Sequence, residues 1–176
     1  WPVGVMGMGS IGAVIARAVA GFDYPVQGWS RSPKAMDGFK VYAGRDELDA
    51  FLAATRVLVL ALPLTADTRH VVDAQALATL RDGALVINVG RGALIDDGAL
   101  LAALDAGKVA RAALDVFAAE PLPDGHAYWT HPKVTVTPHI SGTTLIAPGV
   151  AQIVAKIEAL ERGDPVDGIV DLERGY

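Results

Sequence analysis

Runs of apolar residues alternate along this chain with segments whose apolar residues recur at the spacing of an amphipathic helix. The run from Val57 to Leu62 is continuous and rich in branched side chains, which is typical of a parallel strand covered on both faces. This alternation predicts an α/β fold, a doubly wound parallel sheet of the Rossmann type with right-handed crossovers. The predicted strands are Val3–Met6, Pro25–Trp29, the short edge segment Val41–Ala43, Val57–Leu62, Ala84–Val89, Ala110–Phe117 and Val134–Thr137. The predicted helices are Ala13–Ala20, Arg45–Ala54, Ala74–Leu80, one that begins at Asp96 or Asp97, and Gln152–Arg162.

The first strand enters a turn with glycine at all three positions of the G-x-G-x-x-G pattern, namely Gly7, Gly9 and Gly12. Gly7 allows the backbone to turn, Gly9 leaves room for a pyrophosphate, and Gly12 lets the helix pack closely on the strand. The amides at the start of that helix would face the phosphates. Such a turn can be purely structural, but its place between a strand and a helix favours a dinucleotide site.

The end of the second strand is where a dinucleotide-binding fold selects its cofactor. NAD-preferring sites commonly have Asp or Glu there, whereas this chain has Ser30, Arg31 and Ser32, with Lys34 just beyond. A guanidinium binds a phosphate through paired, charge-assisted hydrogen bonds, and hydroxyl groups are further donors. We therefore predict NADP as the preferred cofactor, with NAD possible. The alternative is that Arg31 is only a solvated loop residue.

Composition narrows the classes of partner. The formal net charge of the 176 residues is −5 and no cluster of Lys and Arg offsets it, which argues against a nucleic-acid surface. The longest apolar run is too short to cross a bilayer, so we expect no membrane partner. The chain has no cysteine, which excludes disulfides and thiolate metal sites and fits a cytoplasmic location. No His or carboxylate cluster has metal-ligand spacing, so we expect no metal.

Three residues with complementary chemistry follow the ends of three successive strands. Arg91 offers a planar fork for a carboxylate, His139 can transfer a proton, and Glu120 can orient the imidazole and favour its charged form. We take these strands as the fourth, fifth and sixth of the usual order, on the nicotinamide side of the sheet. Reduction of a 2-oxo acid needs a hydride, a proton for the oxygen and a clamp for the carboxylate. Asp115 is expected at the cofactor carboxamide or in the local network.

Taken singly, each of these residues has a structural alternative. Arg91 could be a surface residue that caps a helix, Glu120 a solvated loop charge, and His139 a strand-end residue bonded to backbone. Their joint placement favours the catalytic interpretation. The other histidines and two of the tryptophans lack such placement, and we interpret them as loop or packing residues: His70, His126, His131, Trp29 and Trp129.

Four segments resemble the D-2-hydroxyacid dehydrogenase family and occur in its order. They are Gly7-Met8-Gly9-Ser10-Ile11-Gly12, Ile87-Asn88-Val89-Gly90-Arg91-Gly92, Leu114-Asp115-Val116-Phe117 with Glu120-Pro121-Leu122-Pro123, and Thr137-Pro138-His139. Trp29-Ser30-Arg31 and the closing Arg174-Gly175-Tyr176 are most similar to the glyoxylate/hydroxypyruvate reductase branch.

The resemblance implies the roles of substrate clamp for Arg91, acid/base for His139 and its partner for Glu120. It also implies a homodimer formed through the cofactor domain and NADPH-dependent reduction of glyoxylate or hydroxypyruvate. The expected cofactor-binding residues are Gly7, Met8, Gly9, Ser10, Ile11, Gly12, Trp29, Ser30, Arg31, Ser32, Leu62, Pro63, Val89, Gly90, Arg91, Asp115 and His139, with Leu62 and Pro63 near the adenosine.

We predict a dinucleotide-binding domain over residues 1–142, and over 143–176 a helix and tail that return toward a second domain. In the family that substrate domain is built mostly from residues before the glycine turn, and we expect it to be largely missing here. The chain alone should then bind cofactor better than it turns over substrate. The alternatives are a non-enzymatic NAD(P)-sensing or corepressor-type module of the same fold, and a relative that acts on formate or phosphite. The joint presence of Arg91, Glu120 and His139 weighs against the first alternative.

Overall fold

The computed structural model describes residues 1–170 and contains one seven-stranded sheet. Every pair of neighbouring strands is parallel, and the strand order is β3-β2-β1-β4-β5-β6-β7. The predicted doubly wound α/β fold is confirmed. The strands are β1 (Val3–Met6), β2 (Val26–Ser30), β3 (Lys40–Ala43), β4 (Val57–Leu60), β5 (Ala84–Asn88), β6 (Val109–Leu114) and β7 (Val134–Val136). The helices are α1 (Ser10–Ala20), α2 (Leu48–Ala54), α3 (Ala74–Thr79), α4 (Asp97–Asp105) and α5 (Ile146–Arg162), with 3₁₀ turns at Gly92–Leu94 and Ala127–Trp129.

The core lies on both faces of the sheet. In β4, Leu58 and Leu60 pack into the larger apolar cluster, whereas Val59 between them packs into the smaller one with α1. Successive side chains of a strand point to opposite faces, so a strand covered on both sides must be apolar throughout. This is why the central strands could be recognised as continuous apolar runs.

The ends of several elements differ from the prediction. Helix α5 begins at Ile146 and not at Gln152, because Pro148 falls in its first turn, where a missing N–H costs no hydrogen bond. The predicted strand to Phe117 ends at Leu114, and the chain turns away there. Asp96 is the N-cap of α4, since its side chain accepts from the Ala99 amide at 2.9 Å.

The predicted numbering of the catalytic strands was wrong by one. The edge segment Lys40–Ala43 is a full strand that pairs with β2. Each strand after it therefore has a number one higher than predicted. Arg91, Glu120 and His139 therefore follow β5, β6 and β7. These strands do lie together on one side of β1, as the catalytic interpretation requires.

The chain divides into two compact units, Trp1–His139 and a second that begins at Ile140. The first unit holds both apolar clusters. The predicted domain boundary after residue 142 stays a prediction. The motif Arg174-Gly175-Tyr176 lies outside the described residues. Within residues 1–170, no helix combines the length and the apolar character that crossing a membrane would demand.

Candidate active site

The three glycines of the first turn have three different surroundings. Gly7 has a φ of +106°, and a Cβ there would lie 2.7 Å from the Ala61 carbonyl oxygen. A Cβ on Gly12 would lie 1.8 Å from the carbonyl oxygen of Gly7. A Cβ on Gly9 would meet nothing within 4 Å, and its φ of −78° suits any residue. The fold itself therefore requires glycine at positions 7 and 12, whereas position 9 opens onto space that a ligand can enter.

The start of α1 fits a phosphate group. Gly9 is the N-cap and supplies no side chain, and the first turn carries no acidic residue. Ser10 and Ile11 are exposed there. The first amides of a helix have no partner within the helix, and the helix dipole favours an anion beside them. The first turn of α1 thus meets the requirements of a pyrophosphate site.

The end of β2 contributes both packing and positive charge. Trp29 is buried and its Nε1–H donates to the Gly44 carbonyl at 2.9 Å, so its ring packs as predicted. The Ser30 hydroxyl donates to the Ser32 carbonyl at 2.7 Å, while Arg31 is exposed. Lys34 donates to the Met8 carbonyl at 2.7 Å. The sequence placed Lys34 beside Arg31, but its contact with the glycine turn was missed because it joins residues on different loops.

The loops after β4 and β5 lie against each other. Leu62 is buried and Pro63 is exposed. A Cβ on Gly90 would lie 3.0 Å from the Leu62 carbonyl oxygen, so glycine allows the close approach of these two loops. Val89 is half-buried and packs on the smaller apolar cluster. Leu62 and Pro63, the residues expected near the adenosine, therefore lie beside the segment that leads to Arg91.

A buried amide shapes the loop that carries Arg91. Asn88 is only 1% exposed, and its Nδ2 donates to the Arg91 carbonyl at 3.0 Å while its Oδ1 accepts from the Gly90 amide at 3.1 Å. The Arg91 guanidinium donates to the Gly90 carbonyl at 2.6 Å. The prediction missed Asn88, although a polar residue that closes an apolar strand was a usable signal.

Asp115 links the ends of β6 and β7. Its side chain is buried, and the Thr137 hydroxyl donates to its Oδ1 at 2.5 Å. The Asp115 carbonyl accepts from the His139 amide at 2.9 Å. His139 has a φ of +54°, which is unusual for a residue with a side chain. Asp115 and Thr137 therefore fix the backbone from which the imidazole projects. The sequence indicated Thr137 only as part of a family motif and not as a site residue.

Glu120 and His139 form a hydrogen-bonded pair. Glu120 Oε2 lies 2.7 Å from His139 Nδ1, and Glu120 Oε1 accepts from the Phe117 amide at 2.9 Å. The bond to His139, and after it the bond to Phe117, lowers the pKa of the Glu120 carboxyl below its ordinary value, with a smaller contribution from the charge of Arg91. A carboxylate that stays ionised accepts hydrogen bonds only, so we assign the Nδ1–H tautomer to neutral His139.

One cavity of about 350 Å³ brings the three predicted catalytic residues together. Arg91, Glu120 and His139 supply its polar side, and the remaining lining is Leu64, Gly92, Ala93, Phe117 and Ala118. A Cβ on Gly92 would lie 1.8 Å from the Phe117 carbonyl carbon, so glycine permits the close approach of the Arg91 and Glu120 segments. The cavity can hold a small anion between a guanidinium and an imidazole. Its lining does not include the glycine turn.

Two other histidines, His126 and His131, do not line this cavity. His126 and His131 are half-buried, and each has its Nε2 near a carboxylate, at 3.6 Å from Asp97 Oδ2 and 3.3 Å from Asp105 Oδ1 respectively. Across residues 1–170, no three His, Asp or Glu side chains gather into a possible metal site.

Comparison with known proteins places this geometry in a family. Residues 1–141 match the profile of the D-isomer specific 2-hydroxyacid dehydrogenase, NAD binding domain. Glyoxylate/hydroxypyruvate reductase A of Salmonella newport (strain SL254) is 47% identical over 174 residues, which is 99% of this chain and 56% of the relative. The chain thus spans about half the length of the curated relatives it matches.

Solved structures agree with the sequence comparison. The D-isomer specific 2-hydroxyacid dehydrogenase from Xanthobacter autotrophicus Py2, in complex with NADPH and MES, superposes with a TM-score of 0.96 at 44% identity, over 99% of this chain and 72% of that one. The NADPH-dependent glyoxylate/hydroxypyruvate reductase from Sinorhizobium meliloti, in complex with NADP and sulfate, gives 0.95 at 38% identity, over 99% and 57%. The resemblance inferred from the motifs is confirmed, and the chain belongs to the D-isomer specific 2-hydroxyacid dehydrogenase family.

Proposed function

We propose that this chain is the cofactor domain of an NADPH-dependent reductase that converts a small 2-oxo acid, of the glyoxylate or hydroxypyruvate type, into the 2-hydroxy acid. The observation that carries the proposal is the cavity in which Arg91 faces the hydrogen-bonded pair of Glu120 and His139. The similarity to reductases whose names specify glyoxylate and hydroxypyruvate supports this substrate class.

NADP is the proposed cofactor, with NAD possible. Related structures at 44% and 38% identity hold NADPH or NADP, and the end of β2 offers Arg31 and hydroxyls where an NAD site commonly has an acid. The open face at Gly9 and the first turn of α1 would hold the pyrophosphate, and Asp115 would lie at the nicotinamide. When bound, the reduced cofactor supplies the hydride.

Arg91 and His139 have separate tasks on the substrate. The Arg91 guanidinium binds the carboxylate of the 2-oxo acid and so turns its carbonyl toward the imidazole. In reduction the Nε2–H of protonated His139 gives its proton to the carbonyl oxygen, which becomes the hydroxyl of the product. In oxidation the neutral Nε2 takes that proton back.

Glu120 keeps the imidazole in a productive state. Its ionised carboxylate accepts from Nδ1–H throughout the cycle, so the proton exchanged with substrate is the one on Nε2. The Phe117 amide holds the other carboxylate oxygen and prevents the side chain from turning away. Leu64, Ala93, Phe117 and Ala118 make the rest of the cavity lining apolar, so the substrate's polar groups have Arg91, Glu120 and His139 as their side-chain partners there.

Turnover by a protein of the relatives' full length that contains this chain tests the proposal. His139→Gln should lower kcat for glyoxylate by about 10²- to 10⁴-fold, the usual contribution of a general acid. Arg91→Ala should lower kcat/KM for glyoxylate without weakening NADPH binding. Arg111→Ala, an exposed arginine of β6, serves as the matched control.

Two results would contradict the proposal. One is unchanged turnover after His139→Gln. The other is tight NADPH binding with no turnover of any 2-oxo acid, which would favour the sensing or corepressor-type module.

Assembly and location are further parts of the proposal. We propose a homodimer formed through the cofactor domain, which the family resemblance supports. We also propose a cytoplasmic location, which the lack of cysteine supports. Exposed apolar side chains on the first unit, including Ile11, Val14 and Phe22, support association. Light scattering of the chain should give twice the 18.3 kDa mass.

A further inference from the structure

The segment Phe117–Tyr128, which carries Glu120, contacts helix α4 at the segment's C-terminal end. Tyr128 is 2% exposed, and its hydroxyl donates to Asp97 Oδ1 at 2.9 Å. The other oxygen of Asp97 lies 3.6 Å from His126 Nε2. The rings of His126 and Tyr128 are 4.6 Å apart, and His126 Nδ1 accepts from the Tyr128 amide at 3.2 Å. The Asp97 carboxylate therefore accepts a hydrogen bond from Tyr128 and lies beside the His126 imidazole.

This contact with α4 is close in sequence to Arg91. Asp97 is the first residue of α4, and only the 3₁₀ turn Gly92–Leu94 and two residues separate it from Arg91. Gly92 already lies against the backbone of Phe117 and Ala118. The Arg91 and Glu120 segments thus meet twice, once at Gly92 and once at Asp97, and the cavity lies beside the first meeting point.

Burial makes the second contact persistent. Burial, and after it the charge of Asp97, raises the pKa of the Tyr128 hydroxyl far above its ordinary value, so the hydroxyl remains a donor at every working pH. Because His126 Nδ1 accepts an amide proton, neutral His126 carries its proton on Nε2, where Asp97 can attract it.

We propose that Tyr128, Asp97 and His126 are positioning residues that hold the Glu120 carboxylate on Nδ1 of His139. None of the three lines the cavity. They act through the segment Phe117–Tyr128, whose Leu122 is also buried in the core. The inference rests on the proposed function, in which the Glu120–His139 pair moves the proton.

The far end of α4 provides a matched control. His131 Nδ1 accepts from the Lys133 amide at 3.2 Å, and His131 Nε2 lies 3.3 Å from Asp105 Oδ1. This arrangement copies that of His126, but at the last residue of α4 and away from the cavity. If such a histidine only stabilised the fold, then substituting His126 and substituting His131 should have the same effect.

The imidazole nitrogens report the contact directly. Long-range ¹H–¹⁵N spectra distinguish the Nδ1–H and Nε2–H tautomers, and the chain has only four histidines to assign. When the imidazoles are neutral, His139 should show the Nδ1–H form, and His126 and His131 the Nε2–H form. Glu120→Gln should weaken the Nδ1–H preference of His139 and so calibrates the measurement.

Tyr128→Phe removes only the hydroxyl, and His126→Ala removes the imidazole that lies beside Asp97 and against the Tyr128 ring. Both should convert His139 from the single Nδ1–H form to a mixture of tautomers, with unchanged His131 signals as evidence that the domain is folded. His131→Ala should leave His139 in the Nδ1–H form. If both Tyr128→Phe and His126→Ala keep His139 wholly in that form, the proposal is overturned.

These spectra need neither cofactor nor turnover, so the two proposals fail separately. Suppose that Tyr128→Phe loses the single Nδ1–H form of His139 but that His139→Gln turns over substrate normally. The positioning network would then be kept and the proposed catalysis rejected. The reverse pattern would reject the network alone.

Discussion

Glu120 is the residue whose ionisation the fold alters most plainly at the site. His139 and the Phe117 amide donate to its two oxygens and lower the pKa of its carboxyl. A carboxyl whose folded pKa is depressed stabilises the fold above its unfolded pKa, and this stabilisation is lost as pH falls through the folded pKa. The contribution of Glu120 should therefore begin to fall below about pH 4.5, the ordinary glutamate value, and be lost once the pH is below the lowered pKa of the folded state.

Substituting His139→Gln should raise the pKa of Glu120 toward its ordinary value, because the first of the two donors is weakened. Carboxyl ¹³C shifts followed through an acid titration measure this directly. Asp82, whose pKa Lys108 lowers far from the cavity, should not respond. An unchanged Glu120 titration would mean that the bond to His139 does not persist in solution.

Arg31 is expected to discriminate between the two nicotinamide cofactors. Arg31→Ala should weaken NADPH binding by about 10- to 100-fold, the effect of losing a charge-assisted hydrogen bond, and leave NADH binding nearly unchanged. Cofactor fluorescence gives both dissociation constants. Arg17→Ala, which removes an equal charge from the exposed side of α1, should alter neither. Equal weakening of NADPH and NADH would refute the assignment to the 2′-phosphate.

At the scale of residues, the sequence predicted the side chains that come directly after a strand but not the contacts that cross between loops. Arg91, Glu120 and His139 were found because parallel strands deliver their carboxyl ends to one edge. The bonds of Thr137 to Asp115 and of Lys34 to Met8 join residues 22 and 26 positions apart, and their formation depends on side-chain packing that no local pattern encodes.

Among the elements, the glycine turn offers the sharpest separation of folding from binding. Gly9→Ala meets open space at an ordinary φ, and the gain from a less flexible unfolded chain opposes the loss of an N-cap glycine. The free energy of unfolding should therefore change by less than about 1 kcal/mol in either direction. The new methyl group should still lower NADPH affinity at least about tenfold, because it occupies the approach to the α1 amides.

Gly12→Ala is the matched variant in the same turn. Its Cβ would collide with the Gly7 carbonyl, so it should cost about 1–3 kcal/mol of stability as well as cofactor affinity. Urea unfolding and NADPH titration of both variants test the pair. Wild-type NADPH affinity in Gly9→Ala would show that the pyrophosphate does not approach this face.

The elements themselves were predictable in their middles and not at their ends. The apolar runs identified the central strands β1 and β4, because residues of each pack into both apolar clusters. Helix α1 begins at Ser10, three residues before the predicted Ala13, since Gly12 adopts a helical backbone although glycine gives no helical signal in the sequence. Ends depend on caps and competing hydrogen bonds, which apolar periodicity does not record.

At the scale of the whole molecule, the site arises from chain order. Strands β5, β6 and β7 are neighbours in sequence and in the sheet, so three consecutive connections deliver a guanidinium, a carboxylate and an imidazole to one cavity. The dinucleotide-type turn after β1 lies on the same carboxyl edge of the sheet. The proposed substrate and cofactor sites therefore lie at one edge of the sheet.

The first unit, Trp1–His139, should also fold and bind NADPH without the second unit. Both apolar clusters lie within residues 3–136, and α5 has no buried residue. A chain that ends at Gly142 should therefore keep the free energy of unfolding to within about 0.5 kcal/mol, the usual range for changes away from the core. It should also keep the NADPH affinity of the whole chain, because every proposed cofactor contact precedes this end.

The control is a chain that ends at Lys133, which lacks β7 and with it the Val136 partner of Leu114. It should lose cooperative unfolding, because β6 would become an exposed edge strand. It would also lack His139. Urea unfolding and NADPH fluorescence measure both chains. If the chain ending at Gly142 unfolds at much lower urea than the whole chain, α5 and the residues after it contribute to the stability of the cofactor domain, and the two units cannot be treated as separate folding elements.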